Sequence, residues 1–116
     1  MKQCLYSWLA LGAMLFFQPL KAQHAQIDSL HAILPNNHGK ERIDVLNQMA
    51  RAFHWVSTDS SLHYALQALE ESQELAYDMG VLRAQQHLIN AHTNNGEFEK
   101  ARTLAKAAIL FQTNAT

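Results

Sequence analysis

Apolar positions recur along most of the chain at steps of three and four, and only the first segment departs from that rhythm. Ile27, Leu30 and Leu34 mark one stripe of a short helix over about 26–34. The cluster Pro35-Asn36-Asn37-His38-Gly39 closes it, since proline cannot continue the hydrogen-bond ladder and the following residues favour turns. From Lys40 to about Val56, Ile43, Leu46, Ala50 and Phe53 predict an amphipathic helix. Ser57-Thr58-Asp59-Ser60 then offers side-chain oxygens to the free amides of a third helix, running from about Ser60 to Tyr77. Its expected inward set is Leu62, Ala65, Leu66, Leu69, Ser72 and Leu75/Ala76, and Gly80 is the expected left-handed residue closing it. A fourth helix over about Val81–Asn94 turns inward through Leu82, Ala84, Leu88 and Ala91. Asn94-Asn95-Gly96 predicts a tight turn, and Phe98, Ala101, Leu104/Ala105, Ala108 and Phe111 a fifth helix.

Residues 1–22 read differently. A short positive start, Met1-Lys2-Gln3, precedes an almost unbroken apolar run from Cys4 to Phe17; Pro19, Lys21 and the small Ala22 then close it. This is the three-part pattern of a secretory signal peptide cleaved near Ala22–Gln23. The run is shorter than the roughly 18–20 residues that span a bilayer. The expected location is therefore periplasmic or secreted, the alternative being a chain tethered by an uncleaved N-terminal segment. Cleavage would remove Cys4, the single cysteine, and leave no disulfide chemistry behind it.

Composition narrows the classes further. The 116 residues carry 9 Lys+Arg against 10 Asp+Glu, which leaves no basic footprint for nucleic acid. With only 4 Gly and 2 Pro, the chain favours helices over a turn-rich β fold. Seven histidines raise the question of metal. His24, His31 and His38 are separated by the break at Pro35–Gly39 from any common helix face, and His87 and His92 stand about 140° apart around one. There is no Gly-x-Ser-x-Gly elbow, no phosphate-cradling glycine loop and no arrangement of Ser, His and Asp that indicates a triad. The expectation is a non-enzyme with no metal and no cofactor.

The helices repeat. Ile43, Val45, Met49, Ala52 and Phe53 correspond to Leu82, Ala84, Leu88, Ala91 and His92 at an offset of 39, and Ser61, Tyr64, Ala65, Ala68 and Leu69 to Ala101, Leu104, Ala105, Ala108 and Ile109 at 40. Helical pairs recurring at this period are a solenoid signature. The segment Asn95-Gly96-Glu97-Phe98-Glu99-Lys100-Ala101, together with Leu88, Ala105 and Ala108, resembles the turn and second helix of the tetratricopeptide repeat. The first repeat fits through Met49, Ala50, Phe53, Ser61, Ala65 and Ala68 but lacks the turn glycine, and Ile89 and His92 depart from the pattern in the second. A preceding signal peptide and the link Tyr77–Gly80 also resemble the exported repeat regions of bacterial sensor kinases and regulators. The resemblance implies an all-α, short right-handed solenoid: signal peptide 1–22, leading helix and turn 23–39, and two repeats over 40–116, at about 40–79 and 80–112.

Between the apolar positions run two polar stripes: Asp44, Asn47, Arg51 and His54/Trp55 on one helix, and Arg83, Gln86, Asn90 and Thr93 on the next. In tetratricopeptide arrays the corresponding faces line a concave groove that holds peptides. The candidate groove residues are accordingly Asn47, Arg51, His54, Trp55, Arg83, Gln86, Asn90 and Thr93. Amide and guanidinium groups suit peptide backbone and carboxylate, and Trp55 is a candidate aromatic anchor. The expected function is a non-catalytic protein-interaction module exported from a bacterial cell; the alternative is the truncated N-terminal sensory region of a two-component sensor histidine kinase or transcriptional regulator. The expected partner is a protein or peptide, including a second copy through the last helix, where Leu104, Ala108, Leu110 and Phe111 leave an apolar face. Neither nucleic acid nor, after cleavage, a membrane is an expected partner.

Overall fold

The computed structural model describes residues 21–115, and every regular element among them is helical. The apolar run Cys4–Phe17 and most of the expected signal peptide lie outside the described residues. Helix α1 covers 21–33, passing through Ala22 and Gln23 rather than starting at Gln26, and a short 3-10 turn, Leu34–Asn36, follows with Pro35 inside it. Then come α2 (Gly39–Phe53), α3 (Thr58–Glu74), α4 (Asp78–Asn94) and α5 (Phe98–Ala115).

Connections of three or four residues force consecutive helices to fold back on one another. Accordingly α2 packs on α3, α3 on α4 and α4 on α5, while α2 also meets α4. The core runs continuously through these layers. Ile27 and Leu30 of α1 pack with Val45, Met49 and Ala52 of α2. Leu46 packs with Ala68 and Ala84, and Ala50 with Ala65 and Leu88. Tyr64 and Leu69 bridge these last two groups. The alanines at the α2–α3–α4 meeting points allow the close approach that larger side chains would prevent. Ser61 fits the same spacing because its hydroxyl donates to the Ala50 carbonyl at 2.7 Å, which satisfies a buried polar group across the helix pair.

The helix ends follow their side chains. Ser57 caps α3 by accepting from the Ser60 amide at 3.2 Å. Helix α2 ends at Phe53, short of Val56, where the Ser57 amide donates back to the Phe53 carbonyl at 2.8 Å. Helices α3 and α4 both end in one motif. Tyr77 N–H donates to Ser72 O and Glu97 N–H to His92 O, each at 2.8 Å, bracketing a left-handed residue. That residue is Gly96 (φ 75°) after α4, and Ala76 (φ 52°) after α3.

Gly80 therefore does not close α3; it lies buried within the first turn of α4. Its role is steric. A Cβ there would press on Ser72 Oγ and would stand 2.7 Å from Tyr77 Cδ1 and 2.8 Å from Ile43 Cγ2. Three residues of the expected inward set of α3 face out: Leu66 is 55% exposed, and Leu75 and Ala76 are exposed beyond the last turn. The buried stripe of α3 is Ser61, Ala65, Ala68 and Ser72, and Leu66 falls one helical step, about 100°, off it. On α4, Val81 rather than Leu82 occupies the buried position.

Candidate functional site

The exposed faces of α2 and α4 lie side by side, and the N-terminal part of α1 borders them. Together they form an open groove of about 930 Å³. Seven of the candidate residues line it: Asn47, Arg51, His54, Trp55, Arg83, Gln86 and Asn90. They meet because α2 and α4 occupy equivalent positions in the two helix pairs, so stripes separated by 39 residues fall on one wall. Thr93 is not part of that wall; its hydroxyl donates to its own helix, to Ile89 O at 2.7 Å. The two histidines of α4 go separate ways: His92 Nδ1 lies 3.3 Å from Glu97 Oε1, and His87 lines the groove.

Four polar lining residues escaped the stripe argument: Gln23, Gln26, Gln48 and His87. The glutamines of α1 could not be found from α2 and α4 alone, since they depend on where the leading helix docks. Ile27 and Leu30 set that docking, and Gln23 and Gln26 follow one turn before them. His87 lies one residue past Gln86, at the edge of the polar stripe, and is half buried.

Asn47 sits at the floor, only 3% exposed, and its Nδ2 donates to the Gly80 carbonyl at 3.3 Å. Its Oδ1 is buried and accepts no bond from the described residues. A hydrogen-bond acceptor left in that state has a desolvation cost of about 1–3 kcal/mol. Asp44 accepts from Tyr77 Oη at 2.9 Å and from Arg83 Nη1 at 3.4 Å, tying α2 to the start of α4. The hydrogen bond to Asp44 raises the Tyr77 phenol above its ordinary range, and burial adds to this. Trp55 stands at the rim, 77% exposed, with its ring 4.4 Å from that of His54 in an edge-on contact. A large aromatic held open to solvent beside amides and a guanidinium can stack on a ligand chain.

No cluster of His, Cys, Asp or Glu among the described residues has the grouping a metal ion needs, and none of the helices described is long and apolar enough to cross a membrane. Comparison of the chain with family models, with curated proteins and with solved structures finds no match in any of the three.

Proposed function

We propose that this chain is a non-catalytic interaction module of tetratricopeptide type, a short right-handed solenoid that holds an extended peptide in the groove between α2 and α4. The observation that carries the reading is the composition of that groove. The amides of Gln48, Gln86 and Asn90 line it with Arg51 and Arg83, above Asn47 at the floor, and Trp55 stands at the rim. Amides both donate and accept, so they match the alternating N–H and C=O groups of an extended backbone without reading its side chains. The apolar run near the N-terminus and Ala22 support export by a cleaved signal peptide as part of the same reading.

The test is titration of the ¹⁵N-labelled full chain with a pool of random blocked octapeptides, followed by single peptides chosen from the binders. The reading expects shifts in the side-chain amides of Gln86 and Asn90, and an affinity loss of about tenfold, or 1.4 kcal/mol, in Asn90→Ala. Shifts confined to α3 and α5, or no shift at millimolar peptide, would reject the groove.

The partner surface includes α5. Its stripe of Leu104, Ala108 and Phe111 is only half covered, and Ile109 and Leu110 are exposed beside it. The proposed occupant is the same helix of a second copy.

A further inference from the structure

The groove is electrically uneven. At one end Asp44, the single carboxylate lining it among the described residues, already accepts from Tyr77 and Arg83. At the other end Arg51, His54 and His87 share the wall with no carboxylate among them. Arg51 forms no ion pair among the described residues. Asn94 Nδ2 lies 3.5 Å from His54 Nδ1, a contact that points the opposite ring nitrogen elsewhere.

The groups that act on His87 come from its neighbours one by one. From α2 and the residue just past its end they are Arg51 and His54; on α4 itself Arg83 stands one turn earlier, paired with Asp44. From α1 only the uncharged Gln23 and Gln26 border the groove, and α3 and α5 contribute no lining residue. Burial first, then the Arg51 guanidinium and the neighbouring His54 ring, holds the His87 imidazole below its ordinary range, so the free groove keeps it neutral at neutral pH.

We propose that this end of the groove is an anion-responsive subsite, which takes a carboxylate of an acidic peptide between Arg51, His54 and His87 and takes up a proton on His87 as it does so. The inference rests on the peptide-groove reading and gives that groove a preferred ligand charge. An anion in contact with Arg51 cancels the repulsion that disfavours a protonated His87 imidazole and adds an attraction of its own, so the bound state favours the proton that the free state rejects. Because binding raises the affinity for a proton, a proton raises the affinity for the ligand by the same factor. Affinity therefore rises as pH falls through the bound-state titration of His87, and levels off below its titration in the free groove.

The experiment is calorimetric titration of the full chain with two probes, a blocked hexaglutamate and a blocked hexaglutamine peptide, at about pH 5.5, 6.5 and 8. Glutamate side chains titrate near 4.3, so the probe itself stays ionised across this range. Hexaglutamate is expected to bind roughly tenfold more tightly at the acid end than at the alkaline end, the factor for a one-unit rise of His87 on binding. His87→Gln is expected to bind hexaglutamate more weakly than the parent chain at the acid end and so to lose most of that slope, and hexaglutamine is expected to show none. In hexaglutamate-saturated protein the His87 imidazole resonances titrate at higher pH than in the free chain. A flat hexaglutamate profile, or the same slope in His87→Gln, overturns the subsite. If both peptides bind alike at every pH, the subsite falls and the peptide groove stands; if neither binds at any pH, both fall.

Discussion

Ala76 holds the left-handed position that closes α3, at φ 52°, while the same position after α4 is held by Gly96 at φ 75°. An L side chain in that region costs about 1–2 kcal/mol, which glycine avoids at a smaller entropic cost in the unfolded chain. Ala76→Gly is thus expected to stabilise the protein by about 0.5–1 kcal/mol, and Gly96→Ala to destabilise it by a similar amount; urea unfolding followed by circular dichroism measures both. A stabilising Gly96→Ala would contradict the shared motif. Gly80 tests the opposite property. Its missing Cβ leaves room for Ser72, Tyr77 and Ile43, and its carbonyl receives Asn47. Gly80→Ala improves helix propensity yet forces α4 away from α2 and α3, and an overpacking cost of about 1–3 kcal/mol is expected to dominate. The same displacement would shift Asn47 at the groove floor, so the variant is also expected to bind peptide more weakly when titrated as the parent chain is.

Among the elements, the α4–α5 connection is gathered around one carboxylate. The Glu97 carboxylate receives Lys100, His92 and Asn95, with His92 and Asn95 each 3.3 Å from it. The Lys100 bond first, then those of His92 and Asn95, draws its pKa down from 4.5 to about 2. A carboxyl depressed on folding stabilises above its unfolded pKa, and that contribution disappears as pH falls through the folded value. The turn is therefore expected to loosen between about pH 4.5 and pH 2, seen as falling protection of the Gly96 and Glu97 amides relative to their intrinsic exchange rates, with Glu97→Gln removing the pH dependence of that protection. A turn equally protected in Glu97→Gln and in the parent chain at every pH would contradict it. Periodicity found all five helices, because steps of three and four persist wherever one face is buried, as Ile43, Leu46 and Ala50 show. It misplaces the α3 boundary because glycine is the usual mark of a left-handed residue, whereas an alanine occupies that position here. It also counted Leu66 as inward: a leucine next to a buried stripe has the same spacing as one within it. Most of the groove was legible for a related reason, since α2 and α4 repeat at a fixed offset and their polar stripes must align. His87 was not, because a half-buried edge position carries no periodic signature, and Gln23 and Gln26 depend on the docking of α1.

At the scale of the molecule, the two helix pairs differ in what covers them. On α3, Ala65 and Ala68 are buried and Leu69 packs into two core clusters, because α4 lies across that face. Of their counterparts forty residues on, Ala105 and Ala108 are only half buried, and Ile109 is 62% exposed, with Leu110 beside it at 63%. The face that takes a helix in the first pair stands open in the second. Among the described residues the opposite end of the stack offers a poorer match, since α1 exposes His24, Asp28 and Ser29 there, with Ile33 its one large apolar side chain left open. Head-to-tail stacking would set an apolar surface against a polar one, whereas a two-fold contact sets like against like and closes. Two α5 helices crossing near Ile109 would cover both stripes at once, at about 25 cal/mol for each Å² of apolar surface removed from water. We therefore expect the chain to sediment as a concentration-dependent monomer–dimer mixture, and Ile109→Glu to sediment as monomer with its helix content intact, since that side chain makes no core contact the substitution would break. A parent chain that stays monomeric up to several hundred micromolar, or an Ile109→Glu variant that still dimerises, would remove α5 as the contact surface while leaving the groove between α2 and α4 untouched.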